Sequence, residues 1–323
     1  TPFGFYIKKD GLCGGWHNAI KSKKTSETLL DLVQKIKEKN SGSYDCIVPC
    51  KGTAEDFFVV EKLKENNINP LLVFVNSYFN TNSAWKNFHK LIEVFDVDSR
   101  TYNPNIKKYK KIVSYMLSNH QDIFIPYKML NYSYSKQLAA KLGVRYIVSG
   151  EFQELLTVGK FNRENNVQKT RWSMFQHDIN VASEQIIGHE IDSFMENTLY
   201  DSVNDFENEQ VSKWEYISNY IHWDQWMQDS YIAEKYSIYT DNLHGTFDQY
   251  YRSNGVVYYG VHDALRYIKY GHYKLRDHLS REIRHERISP ENAYDLLEVF
   301  NKHKGATDLE PLKWLGSSKS GVE

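Results

Sequence analysis

Over residues 26 to 150 the chain alternates between two hydrophobic patterns. Ser26 to Lys39 sets Leu29, Leu30, Val33 and Ile36 at helical spacing, with Ser26 as N-cap and Asn40-Ser41-Gly42 as the stop. Unbroken apolar runs within Tyr44 to Cys50, Pro70 to Val75 and Arg145 to Ser149 predict strands buried on both faces. Between them lie helical patterns over Glu55 to Asn66, Ser83 to Phe95, Lys107 to Ser118 and Asn131 to Leu142, the last ended by Gly143. Strands that alternate with helices of this length predict an α/β fold, a parallel sheet with helices on both faces. Such sheets bind ligands beyond the carboxyl ends of their strands, where the winding direction reverses. That rule singles out Cys50 to Asp56, Asn76 to Asn82 and Gly150-Glu151.

The pattern weakens from Phe152 to Val211, where polar and acidic residues dominate. Beyond it, Tyr216 to Trp226, Asp229 to Tyr236, His262 to Tyr270 and Ser289 to Lys302 read as helices. The expected organisation is an N-terminal segment (1–20), an α/β nucleotide-binding domain (21–155), a variable insert (156–210) and a helical, aromatic-rich C-terminal region (211–323).

Charge narrows the partners. Forty Lys and Arg against 41 Asp and Glu give a formal net charge of -1, which argues against nucleic acid or an anionic membrane recruited by bulk charge. The basic runs Lys21 to Lys24 and Lys107 to Lys111 read as solvated faces. No apolar stretch approaches the roughly 18 residues of a membrane span. Thr1 to Asp10 lacks the apolar core of a leader, so a cytoplasmic location is expected. Three cysteines, Cys13, Cys46 and Cys50, exclude a disulfide framework. Aromatics at 15% suit core and interface filling, contacts of a homo-oligomer included, better than a stacking platform.

Two constellations carry candidate chemistry. Lys51-Gly52-Thr53-Ala54-Glu55-Asp56 joins a strand to a helix, where backbone N–H groups and the helix N-terminus can cradle phosphate. It lacks the Gly-Lys-Ser/Thr ending of a Walker loop, and a plain strand-to-helix turn is the competing reading. Further on, His262-Asp263 and Arg276-Asp277-His278 with Arg281 and Arg284 concentrate polar residues. Helical spacing puts Asp277, Arg281 and Arg284 on one face. Paired guanidinium forks suit a diphosphate or carboxylate; a buried ion network that locks helices together is the alternative. His262 reads either as a general acid or base or as a structural histidine.

Tyr44-Asp45-Cys46-Ile47-Val48-Pro49, the loop after it, Phe57 to Lys64 and Asn69-Pro70-Leu71-Leu72-Val73 resemble the start of the N-acetyl sugar amidotransferase family. That family belongs to the ATP-pyrophosphatase (PP-loop) superfamily and acts in bacterial surface-polysaccharide and nonulosonic-acid pathways. Agreement continues at Asn80-Thr81, Asn87, Asn103-Pro104, Gly150-Glu151, Asn219-Tyr220-Ile221 and Trp223-Asp224. It is strongest over Gly260 to Gly271, Arg276-Asp277-His278 and Ile283-Arg284, and returns at Leu312 to Gly316.

The resemblance implies a PP-loop, adenine-nucleotide-α-hydrolase-like domain. It implies ATP and Mg²⁺ as cofactors, a nucleotide-linked acetamido sugar as substrate and a separate glutaminase as ammonia source. The implied reaction adenylylates the acetamido oxygen, after which ammonia leaves an acetamidino group, in lipopolysaccharide O-antigen or nonulosonic-acid synthesis. ATP then belongs over Lys51, Gly52, Thr53, Ala54, Asp56, Asn76 and Gly150; Glu55, Glu151, His262 and Asp263 are the catalytic candidates. Arg276, Asp277, His278, Arg281 and Arg284 are the sugar-nucleotide candidates.

The sequence also departs from the family. Where the family loop reads Ser-Gly-Gly-x-Asp-Ser, this chain keeps Gly52, has Glu55 for the Asp and Asp56 for the Ser. A carboxylate there is expected to repel polyphosphate, with Lys51 as partial compensation. The family's Cys-x-x-Cys-His falls on Phe124, Tyr127 and Lys128, and Cys13 with His17 leaves a zinc set incomplete, so no metal site is expected. Cys46 and Cys50 read as small apolar residues. These losses leave two alternatives beside the enzyme: a catalytically degenerate binding or scaffold subunit, and a related ligase with a different acceptor.

Overall fold

The computed structural model describes residue 9 and residues 28–38, 43–150, 212–240, 258–301 and 310–315. The elements run α1 (Leu29–Glu38), β1 (Cys46–Cys50), α2 (Ala54–Glu65), β2 (Pro70–Val75), α3 (Asn82–Phe95), β3 (Ser99–Tyr102), α4 (Ile106–His120), α5 (Ile125–Leu142) and β4 (Tyr146–Ser149). After the undescribed stretch come β5 (Lys213–Tyr216), a 3₁₀ turn (Ile217–Asn219), α6 (Gln225–Tyr236), α7 (Tyr258–Tyr270), α8 (Leu275–Arg284), α9 (Pro290–Asn301) and α10 (Glu310–Leu315).

The five strands form one sheet of order β3-β2-β1-β4-β5, every pairing parallel. In register, Ile47 faces Leu71 on one side and Ile147 on the other. Alternate strand residues go to opposite faces. Val48, Leu72, Phe74 and Val148 meet Leu32, Ile36, Phe57 and Leu91 of α1, α2 and α3. Ile47, Leu71, Val73 and Ile147 meet Ala139 of α5, with Leu138 and Leu142 packed against them. The fold is therefore the expected α/β class, a parallel sheet with helices on both faces followed by a helical C-terminal region. The winding reverses between β1 and β4, which puts the switch point at the loop after Cys50 and at Gly150.

The structure differs from the sequence expectations at three elements. α5 starts at Ile125, six residues ahead of the predicted Asn131, because Pro126 sits in its first turn, where a missing N–H costs nothing. Ser99 to Tyr102 forms a half-exposed edge strand with no apolar run to announce it. Tyr216 to Trp226 is not a helix: β5 ends at Tyr216, and α6 begins only where Asp224 caps the Met227 N–H at 3.4 Å.

α2 is buried on nearly every side, since α6 covers the face the sheet leaves open. Phe58 meets Trp223 edge-on with ring centroids 5.7 Å apart. The buried Glu61 carboxylate accepts from Tyr231 at 2.7 Å and pairs with Lys235. The C-terminal region thereby clamps the helix that carries the candidate loop.

Candidate functional site

The loop after β1 turns on Gly52, whose φ is +78°. A Cβ there would stand 2.1 Å from the Ala84 carbonyl oxygen, so the loop lies directly on the start of α3. Buried Asn87 holds it in place, donating to the Gly52 carbonyl at 3.1 Å and the Tyr239 carbonyl at 2.9 Å while accepting from the Tyr239 N–H at 2.8 Å. The backbone N–H groups of Lys51, Gly52 and Thr53 then converge on one point.

That point is occupied by Oδ2 of Asp56, at 2.7, 2.7 and 2.9 Å from the three nitrogens. Three successive amides aimed at one oxygen form an anion nest, the geometry that binds a phosphate oxygen in other loops. Here the anion is the protein's own. Asp56 is buried; burial pushes its carboxyl up from the usual carboxylate range, and the three N–H groups and Lys51 pull against that. The nest thus fits an oxyanion of the ATP type in shape, and Asp56 already fills it. Thr53-x-x-Asp56 has the spacing of a capping box, the signal in the sequence that foretells this contact.

Other candidates line the same edge of the sheet. Ala54 opens α2 and is buried. A Cβ on Gly150 would meet Glu55 Cγ at 2.6 Å and Val59 Cγ2 at 2.8 Å, so the Glu55 side chain lies across the end of β4. Asn76 donates to Asn103 Oδ1 at 2.8 Å and accepts from the Tyr78 N–H at 2.8 Å, tying the ends of β2 and β3 together. Glu151, Cys13 and His17 lie outside the described residues, as does the side chain of His262.

The second constellation joins α7 and α8. Arg276 is exposed, whereas Asp277, His278 and Arg281 are buried and Arg284 is half-buried. Asp277 pairs with Arg266, which also stands 3.2 Å from His272 Nε2. Asp263 accepts from the Lys274 N–H at 2.7 Å, and burial pushes its carboxyl up. Arg281 pairs with Glu282, Glu282 with Arg287, and Arg287 with Asp224, the α6 cap, at 2.6 Å. Burial, and then the charges of Arg281, Lys274 and Arg266, push His278 well below the ordinary histidine range, so its ring is neutral. Arg266, Lys274 and Glu282 were not among the sequence candidates; Asp263-x-x-Arg266 at helical spacing is the signal that could have found the first.

The Arg281–Glu282–Arg287–Asp224 chain supports a testable consequence. Burial raises the Glu282 carboxyl, but the Arg287 hydrogen bond and the Arg281 charge outweigh it and hold it below its usual range. A depressed carboxylate contributes stability above its unfolded pKa and loses it as pH falls through the folded one. Arg287→Met is expected to destabilise the chain by about 1–3 kcal/mol at pH 7. It should also move acid unfolding to higher pH, read by circular dichroism over a pH series.

Among the described residues, no group of three or more His, Cys, Asp and Glu is placed to hold a metal ion. Nor is any helix there long and apolar enough to cross a membrane. Cys46 and Cys50 are buried free thiols, pushed up by burial.

Residues 215–321 match the family described as LPS biosynthesis protein WbpG-like, C-terminal domain. The C-terminal region of this chain is thus similar to that domain family, and the match covers the Gly260 to Arg284 block that carries the amidotransferase resemblance, which it supports. Among curated proteins, none matches. Among solved structures, the chain is similar to an NMN synthetase from Francisella tularensis, with 8% identity, a TM-score of 0.33, and 61% of this chain and 95% of that one covered. It is also similar to an NH3-dependent NAD synthetase from Campylobacter jejuni in complex with the nitrate ion, with 7% identity, a TM-score of 0.32, and 69% and 93% covered. At these scores the likeness is remote.

Proposed function

We propose that the chain is an amidotransferase- or ligase-type protein of lipopolysaccharide biosynthesis that takes a nucleotide-linked acetamido sugar. The observation that supports this reading is the convergence of the Lys51, Gly52 and Thr53 N–H groups on one oxyanion position at the switch point. An acetamido carbonyl is a poor electrophile and its oxygen a poor leaving group. ATP, when bound, supplies the adenylyl group that corrects both. The chain's part is to orient an oxyanion with preorganised amides, to add the Lys51 charge, and to present Glu55 beside the nest. With ATP·Mg²⁺, an ammonium salt and a panel of diacetamido sugar nucleotides, we expect pyrophosphate and a product in which NH replaces one oxygen. Neither signal from any substrate of a broad panel would refute the enzyme.

A second reading is favoured by the occupant of the nest. With Asp56 seated on all three amides, the nest itself has no N–H left for phosphate, which suits a binding or scaffold subunit. Calorimetric titration with ATP·Mg²⁺ separates the two: heat of binding at or below about 1 mM supports the enzyme, and silence supports the subunit.

A further inference from the structure

The nest has three donors, and one of them is aimed from outside the loop. The Thr53 N–H shares a planar trans peptide with the Gly52 carbonyl, so the two point in opposite directions. Whatever holds that carbonyl therefore aims the Thr53 N–H at the anion position, where it stands 2.9 Å from Asp56 Oδ2. The carbonyl is held by Asn87 Nδ2 at 3.1 Å.

Asn87 is itself set from the C-terminal region. It is fully buried on α3, and its amide makes two further hydrogen bonds, both with the backbone of Tyr239. Oδ1 accepts the Tyr239 N–H at 2.8 Å, and Nδ2 donates to the Tyr239 carbonyl at 2.9 Å. A turned amide would set Oδ1 against two carbonyl oxygens and Nδ2 against an N–H, losing all three bonds. The Tyr239 backbone thus decides which atom of Asn87 faces the loop. The same segment is fixed by Lys90, which donates to the Ser237 carbonyl at 3.0 Å. Lys86 and Lys90, one turn apart on α3, also stand over the Tyr239 ring at 5.1 and 5.6 Å.

We propose that Asn87 is the positioning residue of the anion nest, and that it makes the nest depend on the seating of the segment Ser237 to Tyr239. With the segment seated, all three N–H groups converge. With it lifted, the Gly52–Thr53 peptide is released to turn, and the nest loses a donor. The segment lies within the 215–321 match, so the loop responds to the state of the C-terminal region. That this couples the sugar-nucleotide candidates to phosphate binding rests on the function proposed above; the positioning role does not.

Two readouts on the full chain test this without a nucleotide: amide hydrogen exchange at Thr53, and titration of the Asp56 carboxyl followed by NMR with labelled aspartate. The charged and titratable groups that act on Asp56 are Lys51 and the Cys50 thiol, and neither is altered. Asn87→Ala should speed Thr53 exchange by about tenfold or more. Because the N–H donors hold the carboxylate ionised, it should also move the Asp56 titration to higher pH. Asn87→Ser is the milder change of the same sense should alanine fail to fold. Tyr239→Pro removes the N–H that Oδ1 accepts, 152 residues from Asn87, and should move both readouts the same way by less. Leu91→Val removes one methylene from the core side of the same helix without touching the loop, and should leave both readouts at the parent values. Unchanged readouts in Asn87→Ala, or an equal change in Leu91→Val, would overturn the positioning role. Unchanged readouts in a folded Tyr239→Pro chain would overturn the dependence on the C-terminal segment. In an Asp56→Ser chain, Asn87→Ala should weaken ATP·Mg²⁺ binding by about tenfold. If the Asp56→Ser chain binds no ATP, the nucleotide reading of the loop falls, and exchange and titration still decide the role of Asn87.

Discussion

Asp56→Ser is expected to raise the affinity of the chain for ATP·Mg²⁺ by about ten- to a hundredfold, or about 1.4–2.7 kcal/mol. The serine is too short to reach the point where the three amides converge, so the Lys51, Gly52 and Thr53 N–H groups become available to a phosphate oxygen. Each hydrogen bond to a charged acceptor contributes about 1.5–3 kcal/mol, and removal of a carboxylate beside the phosphate takes away a repulsion of similar size. Against this stands the cost of ordering a loop that has lost its own anion. The unliganded variant should therefore be less stable than the parent by about 1–3 kcal/mol, and ATP should recover much of that. Asp56→Asn is the informative companion. It removes the charge but keeps an acceptor oxygen in the nest, so occupancy as the cause predicts little gain from asparagine and a large gain from serine. Charge as the cause predicts similar gains from both. A folded Asp56→Ser chain with no response to ATP would show that the loop is no longer a nucleotide site at all.

The departure at Asp56 was legible as a residue type, and so was its sign, since a carboxylate at a phosphate loop opposes polyphosphate. Its mechanism was not, because repulsion and replacement look the same in a one-dimensional string; only the backbone path that folds Lys51 to Thr53 around Oδ2 distinguishes them. The capping-box spacing from Thr53 was available and points the right way.

The same division runs through the fold. β1, β2 and β4 are legible because strands buried on both faces are written as unbroken apolar runs. β3 and β5 escape because they are four-residue edge strands, half-exposed in places, whose pairing is decided by partners far along the chain. Lys274 shows a further limit. Nothing local distinguishes it from a surface lysine; burial first, and after it the charge of Lys128, 146 residues away on another helix, push its ammonium down.

Gly52→Ala should have the largest effect on stability of any small substitution at the site. Two independent penalties meet at this position. The φ of +78° lies in the left-handed region, where an alanine costs about 1–2 kcal/mol relative to glycine. The added methyl would also stand 2.1 Å from the Ala84 carbonyl oxygen and 2.7 Å from its carbonyl carbon, both backbone atoms at the start of α3. Backbone cannot rotate out of the way as a side chain can, so either α3 or the loop must move, at a further cost of about 1–3 kcal/mol. The sum is about 2–5 kcal/mol, measurable as a drop in the urea midpoint with little change in slope. Displacement of the loop should also break the Asn87 bond to the Gly52 carbonyl, and with it the tie to Tyr239 that joins the two halves of the chain. Asn87→Ala separates these effects: it removes the tie without the steric clash, and should cost about 1–3 kcal/mol by leaving buried polar partners unmet. If Gly52→Ala proves no worse than Asn87→Ala, then the loop moves freely away from α3, and the nest is a soft feature instead of a preorganised one.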